Sequence, residues 1–280
     1  MTNDAATTAT ATADAASKIW DPRQYERFKA ERSRPFGDLV DLIEPTVAPG
    51  VVDLGCGTGE LTATLADRLG SDDVLGIDFA PAMLADAAAF ANDRVRFASG
   101  DIATWVADGR WDVIVSNAAL QWVPNHADVL SRWTRSLRPG GQLAVQMPHN
   151  AGHSSHLLAA EVANEAPFAS AFAASVAGAV PPDPVARNVL APEAYAELLH
   201  ALGFVAQHVR LQVYGHVLAS TADVVEWTKG TTLNRFKALL PDDLYAAFID
   251  RYRQRLLTEL GERAPYFYPF RRVLLWGRLA

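Results

Sequence analysis

Three glycines and one carboxylate stand where a backbone could hold a small cofactor. In VVDLGCGTGEL (51–61), Gly55, Gly57 and Gly59 follow an apolar run that contains Asp53. Glycine permits backbone conformations and close approaches that a side chain forbids. The spacing therefore predicts a ligand-binding loop at the end of a strand.

Two common phosphate-binding loops fit this segment poorly. A P-loop counted from Gly55 lacks its lysine. The dinucleotide fingerprint has its third glycine at the position where this chain has Glu60. A carboxylate there would oppose a pyrophosphate at the helix N-terminus, since both are negative. The loop favours an adenosine cofactor that carries no phosphate.

Alternating strands and helices must position this loop. Short apolar runs predict strands near 51–55, 73–78, 95–98, 111–116 and 142–147. Helical patterns lie between them, at Glu60–Leu69, 81–91 and 127–137, and RPGG (138–141) is a helix stop. This order predicts an α/β fold with a doubly wound, mostly parallel seven-stranded sheet.

The second half of the chain has a different pattern. A helix near 194–204 precedes two strands, 206–218 and 271–279, which we expect to form a C-terminal antiparallel pair. Between them lies a helical insertion, 221–269, predicted to act as a lid. We expect a disordered Ala/Thr tail over 1–17 and one domain over 18–280, with N-terminal cap helices over 18–44.

The spacing G-x-G-x-G after an acidic residue resembles the first motif of the class I S-adenosylmethionine-dependent methyltransferases. This resemblance implies a Rossmann-like fold and S-adenosyl-L-methionine as the cofactor. Three further motifs follow the next strands in the expected order: VLGID, SGDIATW and VIVSNAALQWV. The resemblance implies cofactor contacts from Asp53, Gly55, Cys56, Gly57, Gly59, Asp78, Met83, Asp101, Ile102, Asn117 and Ala118.

Individual acidic residues in these motifs admit more than one interpretation. Asp78 could accept hydrogen bonds from both ribose hydroxyls of S-adenosylmethionine. An acidic residue at this position would do the same for the ribose of NAD, so Asp78 alone does not identify the cofactor. In the methyltransferase pattern Asp101 meets the adenine amine, Ile102 packs near the ring, and Asn117 lies beside the methionine portion. Asp78 and Asp101 could each also be a helix cap or turn former.

Composition limits the function further. A formal charge of −7 disfavours a nucleic-acid partner. The single cysteine, Cys56, leaves no disulfide framework and no cysteine-built metal cluster, which fits a cytoplasmic location and no metal.

The chain shows no secretory signal and no apolar run of about 18 residues, so no membrane association is expected. The oligomeric state is left open, a monomer being compatible.

Four further segments narrow the resemblance. WDPRQYERFKAERSRPFGDLV (20–40), NAALQWVPNH (117–126), LAVQMPHN (143–150) and VVEWTKGTTL (224–233) resemble the trans-aconitate 2-methyltransferase family. That resemblance covers about 19–280 and implies methyl transfer to a carboxylate of trans-aconitate, giving a monomethyl ester and S-adenosylhomocysteine. The box that base-modifying enzymes carry after the fourth strand is absent, which also favours a small molecule.

A tricarboxylate substrate requires cations, and arginine matches a carboxylate best. We expect substrate contacts from Tyr25, Arg32, Arg34, Gln121, Trp122, His149 and Arg271. The insertion adds Lys229 and Arg235, and its exit adds Arg272, any of which could be a solvated surface charge. No catalytic general base is predicted, because a carboxylate is already ionised at neutral pH.

Other functions remain open from the sequence. The acceptor could be another small carboxylic acid, including a carrier-protein-bound diacid, or a hydroxyl group that needs a general base. The chain could also bind S-adenosylmethionine without catalysis. An oxidoreductase is disfavoured by Glu60.

Overall fold

The structure, a computed structural model, describes the backbone of residues 29–280 and the side chains from residue 34 onward. The elements in chain order are α1 (Lys29–Val40), β1 (Gly50–Leu54), α2 (Glu60–Leu69), β2 (Asp73–Asp78), α3 (Pro81–Ala87), β3 (Val95–Ser99), β4 (Trp111–Asn117), α4 (His126–Arg135), β5 (Leu137–Pro148), α5 (Ser154–Ala163), α6 (Phe168–Ala174), α7 (Pro184–Asn188), α8 (Pro192–Ala201), β6 (Phe204–Leu218), α9 (Asp223–Lys229), α10 (Asn234–Lys237), α11 (Asp242–Leu260) and β7 (Tyr266–Leu279). Short 3₁₀ helices lie at Ala88–Phe90 and Leu120–Trp122.

The strands form one seven-stranded sheet in the order β3-β2-β1-β4-β5-β7-β6. Strand β1 is parallel to β2 and β4, and β2 is parallel to β3. Strand β4 is parallel to β5, whereas β7 runs antiparallel to β5. The predicted doubly wound sheet, mostly parallel and ending in an antiparallel C-terminal pair, is confirmed.

The strand order places the glycine loop at the switch point of the sheet. The chain leaves β1 to reach its neighbour β2 and later crosses to β4 on the other side. Ligands of open α/β sheets bind in the crevice at such a point, outside the carboxyl ends of the strands. Helix α2 begins here because Gly59 adopts a left-handed conformation, and it ends at the left-handed Gly70.

Several predicted boundaries differ from those observed. The RPGG segment (138–141) lies inside β5, which begins at Leu137, although the preceding helix does end at Arg135. Gly140 takes a positive φ of 74°, so the glycine turns the chain without ending the strand. The helix predicted over 81–91 ends as an α-helix at Ala87 and continues as a 3₁₀ turn. Strand β7 begins at Tyr266, five residues earlier than predicted.

The described chain divides into two compact units. The sheet unit comprises Ala30–His149, Asn188–Val213 and Arg271–Ala280. The helical unit comprises Asn150–Arg187 and Tyr214–Phe270, which contain the predicted insertion. The expectation of one domain over 18–280 stays a prediction, and the tail and the first cap residues lie outside the described part.

Each unit has its own apolar core. The sheet unit buries strand residues such as Val52, Ile114 and Leu143 with Trp133 of α4. The core of the helical unit is rich in aromatic side chains, including Phe172, Trp227, Phe236, Phe248 and Tyr252. No helix among the described residues is long and apolar enough to cross a membrane.

Candidate cofactor site

Backbone hydrogen bonds fix the glycine loop to the neighbouring strand. The amides of Gly55 and Cys56 both donate to the carbonyl oxygen of Ile77, at 2.8 and 3.0 Å. The Gly57 amide donates to Oδ2 of Asp78 at 2.9 Å. The loop after β1 and the end of β2 are therefore one rigid unit.

The three loop glycines differ in what surrounds them. All have positive φ values, of 86° at Gly55, 55° at Gly57 and 78° at Gly59. A Cβ on Gly55 would lie 2.2 Å from the Cβ of Ala119, and one on Gly59 would lie 2.7 Å from the ring of Phe97. A Cβ on Gly57 would meet nothing within 4 Å among the described residues. Gly57 is thus the glycine whose bare backbone faces open space, as close approach of a ligand requires.

Asp53 carries the electrostatic feature of the site. Its side chain is buried, and Oδ2 accepts a hydrogen bond from the Thr62 hydroxyl at 2.6 Å. Its Oδ1 atom is buried with no partner in the part of the chain that the structure describes. Burial raises the pKa of Asp53 to about 6, the Thr62 hydrogen bond opposes this rise, and the charge of Asp78 adds to it. A buried carboxylate oxygen with no donor is suited to a cationic ligand group such as an ammonium.

Asp78 is both a turn former and an available acceptor. Oδ1 accepts from the Ala80 amide and Oδ2 from the Gly57 amide, each at 2.9 Å. Each carboxylate oxygen has two acceptor positions, so both retain one. These contacts are those of a turn former, and the N-cap of α3 is Ala80, which receives no side-chain cap. The ribose contact of Asp78 stays a prediction.

Asp101 and Ile102 follow β3 and contribute differently. Oδ1 of Asp101 accepts from the Ala103 amide at 2.8 Å, which is a local turn, and its side chain is exposed. Ile102 is buried, and its Cδ1 lies 3.9 Å from the position that a Cβ on Gly55 would take. The third motif therefore lies against the glycine loop, and the adenine contact of Asp101 remains a prediction.

The end of β4 contains a hydrogen-bonded chain that the sequence did not reveal. Asn117 accepts at Oδ1 from Nε2 of Gln146 at 2.6 Å. Oε1 of Gln146 accepts from Nη1 of the buried Arg272 at 2.9 Å, and its backbone carbonyl accepts from the Ala118 amide at 2.8 Å. These bonds fix the amide of Asn117, the residue expected beside the methionine portion. A signal was present in the sequence, since Gln146 interrupts the apolar run LAVQM.

Two further predicted cofactor residues lie beside this framework. Burial, followed by the negative charges of Asp53 and Asp78, raises the pKa of the Cys56 thiol, so Cys56 is a neutral packing group and not a nucleophile. Met83 is half-buried on α3. Among the described residues no cluster of His, Cys, Asp or Glu could hold a metal ion.

The predicted substrate residues are only partly brought together. Gln121 is buried and donates from Nε2 to the Ala118 carbonyl oxygen at 2.7 Å, so it lies at the end of β4. Trp122 beside it is 54% exposed. The His149 amide donates to the carbonyl oxygen of Arg271 at 2.9 Å, which pairs these two candidates.

Three predicted substrate residues come from the N-terminal segment of the chain. Arg34 is exposed on α1. Tyr25 and the side chain of Arg32 lie outside the described residues. Their predicted contacts stay predictions.

A buried pair outside the predicted set positions the loop after β4. Nε2 of His126 lies 3.0 Å from the Leu120 carbonyl oxygen, and Nδ1 lies 2.6 Å from the Tyr195 hydroxyl. The carbonyl can only accept, so Nε2 carries the proton and Nδ1 accepts from the hydroxyl. Burial lowers the pKa of His126, against the opposing effect of backbone hydrogen bonds. The imidazole is neutral and structural.

Comparison with known proteins agrees with this geometry. A family model described as a methyltransferase domain matches residues 51–141. The structure resembles the YcgJ protein from Bacillus subtilis, with a TM-score of 0.57 at 13% identity, covering 88% of this chain and 98% of that one. It also resembles phosphoethanolamine N-methyltransferase 2 of Haemonchus contortus, with a TM-score of 0.54 at 16% identity, covering 88% of this chain and 52% of that one. These two likenesses concern the fold.

Sequence similarity over nearly the whole chain is closer. The trans-aconitate 2-methyltransferase of Deinococcus radiodurans is 45% identical over 91% of this chain and 96% of its own length. That of Streptomyces avermitilis is 40% identical over 92% of this chain and 96% of its own. This similarity extends well beyond the segment 51–141 that the methyltransferase domain model covers. The chain belongs to the trans-aconitate 2-methyltransferase family.

Proposed function

We propose that this chain transfers the methyl group of S-adenosylmethionine to a carboxylate of trans-aconitate, giving a monomethyl ester and S-adenosylhomocysteine. The observation that carries the proposal is the 45% identity to a trans-aconitate 2-methyltransferase over 91% of the chain. The site geometry supports the choice of cofactor, and the chemistry of a carboxylate supports the absence of a general base.

The residues around β1 fit the proposed cofactor. S-adenosylmethionine supplies an electrophilic methyl group bonded to a sulfonium. Asp53 would hold its ammonium through the buried Oδ1 atom that has no donor among residues 29–280. Gly57 would admit the cofactor to the backbone, and Asp78 would accept the ribose hydroxyls. Asn117, fixed by Gln146, would face the methionine portion.

The proposed acceptor needs binding and orientation more than proton transfer. A carboxyl group of ordinary pKa, about 4, is an anion at neutral pH, so it can act as the nucleophile unaided. Two candidate bases near the loop are unavailable, since His126 is engaged at both ring nitrogens and Cys56 is a neutral thiol. The chain would contribute by orienting the carboxylate and excluding water, because charge disappears as an anion and a sulfonium combine.

A methyl-transfer assay with labelled cofactor tests this function. We expect turnover on trans-aconitate and at least about tenfold lower kcat/KM on cis-aconitate, citrate and isocitrate, since a tenfold ratio needs only about 1.4 kcal/mol of differential binding. Equal turnover on all four acids would contradict the acceptor and leave the cofactor assignment standing. No turnover on any of them would contradict both the acceptor and the reaction.

The pH dependence of kcat tests the base-free scheme separately. At saturating cofactor and acid we expect kcat to stay constant between about pH 6.5 and 8, since no side chain exchanges a proton with the acceptor. A limb with the slope of a single ionisation in that range would point to a general base and to a hydroxyl acceptor.

A further inference from the structure

A buried arginine in the helical unit uses two of its five N–H donors within the described chain. Arg235 lies on α10, and its side chain is 9% exposed. Nη1 donates to Oδ2 of Asp183 at 3.2 Å and to the Thr232 carbonyl oxygen at 3.0 Å. Nε and Nη2 are buried and have no hydrogen-bond partner in the described chain. Three N–H donors of one guanidinium group are therefore left without an acceptor.

Asp183 cannot take these donors, because its own acceptor positions are in use. Oδ1 accepts from the amides of Val185 and Ala186, at 2.9 and 3.4 Å. Oδ2 accepts from Nδ1 of His156 at 2.8 Å and from Arg235. Burial would raise the pKa of Asp183, but the His156 hydrogen bond and the charges of His156 and Arg235 lower it. The carboxylate is thus ionised and saturated, and it holds one edge of the guanidinium in place.

The orientation of the Arg235 guanidinium group distinguishes a purely structural ion pair from a group that binds a ligand. A pair that served stability alone would gain most from a bidentate contact, with two parallel N–H groups on one carboxylate. Here Asp183 contacts a single nitrogen, Nη1. The edge formed by Nε and Nη2, whose two N–H bonds are parallel, is the one left unused. The guanidinium carbon also lies 4.3 Å from the centre of the Phe236 ring, which supports the face of the group.

We propose that the Nε and Nη2 edge of Arg235 is a binding site for a carboxylate group of a small organic polycarboxylate. The parallel N–H pair matches the two oxygens of a carboxylate in plane, and side-chain packing already fixes the donor. Burial lowers the pKa of Arg235, and the charge of Asp183 and its hydrogen bond oppose this shift. A ligand carboxylate would supply the acceptors that the Nε and Nη2 atoms lack among the described residues. The choice of trans-aconitate as the probe rests on the proposed function.

Direct observation of the Arg235 Nε–H signal by ¹H–¹⁵N NMR tests the site in the full chain. We expect this signal to shift downfield and to saturate on titration with trans-aconitate. Acetate should move it in the same direction at higher concentration. A smaller shift with inorganic phosphate is expected of a site specific for carboxylates, and phosphate is a stringent comparison because the same fork can also bind it. The signal is assigned by its loss in Arg235→Lys.

The outcomes separate this site from the proposed function. A signal that moves with neither trans-aconitate nor acetate overturns the site, even if the enzyme methylates trans-aconitate. A signal that moves with acetate, in a protein that methylates no acid, leaves the site standing and overturns the function. An equal response to phosphate overturns the assignment to carboxylates.

A matched pair of variants measures what the guanidinium edge contributes. Arg235→Lys keeps the positive charge and removes the fork, so we expect the dissociation constant for trans-aconitate to rise about tenfold or more by calorimetry. Arg251→Lys is the control, because Arg251 is 41% exposed and pairs with Glu165 in the same unit. It should change the constant less than about twofold. Wild-type affinity in Arg235→Lys overturns the site.

Discussion

The sheet unit and the helical unit hold one aspartate each in different ways. In the sheet unit Asp78 lies at the end of a parallel strand, and two backbone amides hold its carboxylate. In the helical unit the side chains of His156 and Arg235 hold the carboxylate of Asp183 together with the Val185 amide. Backbone geometry repeats from protein to protein, whereas side-chain networks depend on one particular packing.

This contrast separates a site fixed by strand order from one fixed by side-chain packing. The carboxyl ends of parallel strands meet at one edge of a sheet, so any chain with this strand order brings its strand-end residues together. In the helical unit no strand order brings the polar residues together. Its partners are 27 residues apart in His156–Asp183 and 52 apart in Arg235–Asp183.

The largest effect is expected from removing an aromatic ring in the helical unit. Phe248 is fully buried and packs on Phe168 and Phe236, with ring centroids 5.3 and 4.9 Å away. Phe248→Ala should lower the free energy of unfolding by about 3–5 kcal/mol in urea titrations, because it leaves a cavity. Val176→Ala, at a fully exposed position of the same unit, is the control and should change it by less than about 0.5 kcal/mol.

The same variant tests whether the two units differ in function. All predicted cofactor contacts belong to the sheet unit. Under native conditions Phe248→Ala should therefore bind S-adenosylmethionine within about twofold of wild type by calorimetry. A much weaker affinity for S-adenosylmethionine in the folded variant would contradict the prediction that the sheet unit alone binds the cofactor.

The next effect concerns the loop glycines of the sheet unit. Gly55→Ala adds a Cβ 2.2 Å from Ala119 at a φ of 86°, so it should cost about 3 kcal/mol of stability through overpacking and backbone strain. Gly57→Ala meets open space at a φ of 55° and should cost about 1 kcal/mol. Thermal unfolding of the two variants measures the difference.

Cofactor binding separates these two glycines further. The added methyl of Gly57→Ala faces the open side of the loop, so the variant should lose affinity for S-adenosylmethionine while it remains folded. If Gly57→Ala binds the cofactor like wild type, the predicted approach of the ligand to Gly57 is wrong.

A smaller effect is expected from the His126 pair and depends on pH. His126→Phe removes two buried hydrogen bonds and should lower the free energy of unfolding by about 1–3 kcal/mol at pH 8. Because burial lowers the pKa of His126, the folded state binds fewer protons there than the unfolded state. The contribution of His126 should fall as the pH drops below about 6.5. The difference in unfolding free energy between wild type and His126→Phe should therefore shrink at low pH.

The exposed His200 of α8 provides the control for that measurement. His200→Asn should keep the wild-type pH dependence of stability. A His126 difference that stays constant from pH 8 to 5 would contradict a buried neutral imidazole.

The smallest predicted effect concerns Asp53 and cofactor affinity. Burial raises the pKa of Asp53 to about 6, and pairing with an ammonium favours the ionised carboxylate. Cofactor binding should therefore release a proton, and the dissociation constant measured by calorimetry should decrease as the pH rises through about 6. Asp53→Asn should weaken binding about tenfold at pH 8, or about 1.4 kcal/mol, and should remove this pH dependence.

Asp112→Asn gives a matched carboxylate control in the same unit. Asp112 accepts from the Gly50 amide at the amino end of β1, at the opposite end from the glycine loop. Its variant should keep the pH dependence of cofactor binding. An unchanged profile in Asp53→Asn would remove Asp53 from the proposed ammonium site.

Sequence patterns were most informative where local geometry is regular. Helix α2 occupies the predicted Glu60–Leu69, since Gly59 and Gly70 bound an amphipathic run. The strands that carry the glycine loop and Asp78 also lie where periodicity put them. Boundaries failed at RPGG (138–141), because pairing of β5 extends through a segment whose residues favour a turn.

What the sequence determined by itself was the parallel sheet, the glycine loop at its switch point and the family, because these follow from local patterns and residue order. Tertiary structure alone decided which polar atoms are satisfied. Only folding shows that Oδ1 of Asp53 lacks a donor, that Gln146 fixes Asn117, and that one edge of Arg235 is unused. Hydrogen bonding of a buried group depends on neighbours distant in the chain, and no local pattern encodes their positions.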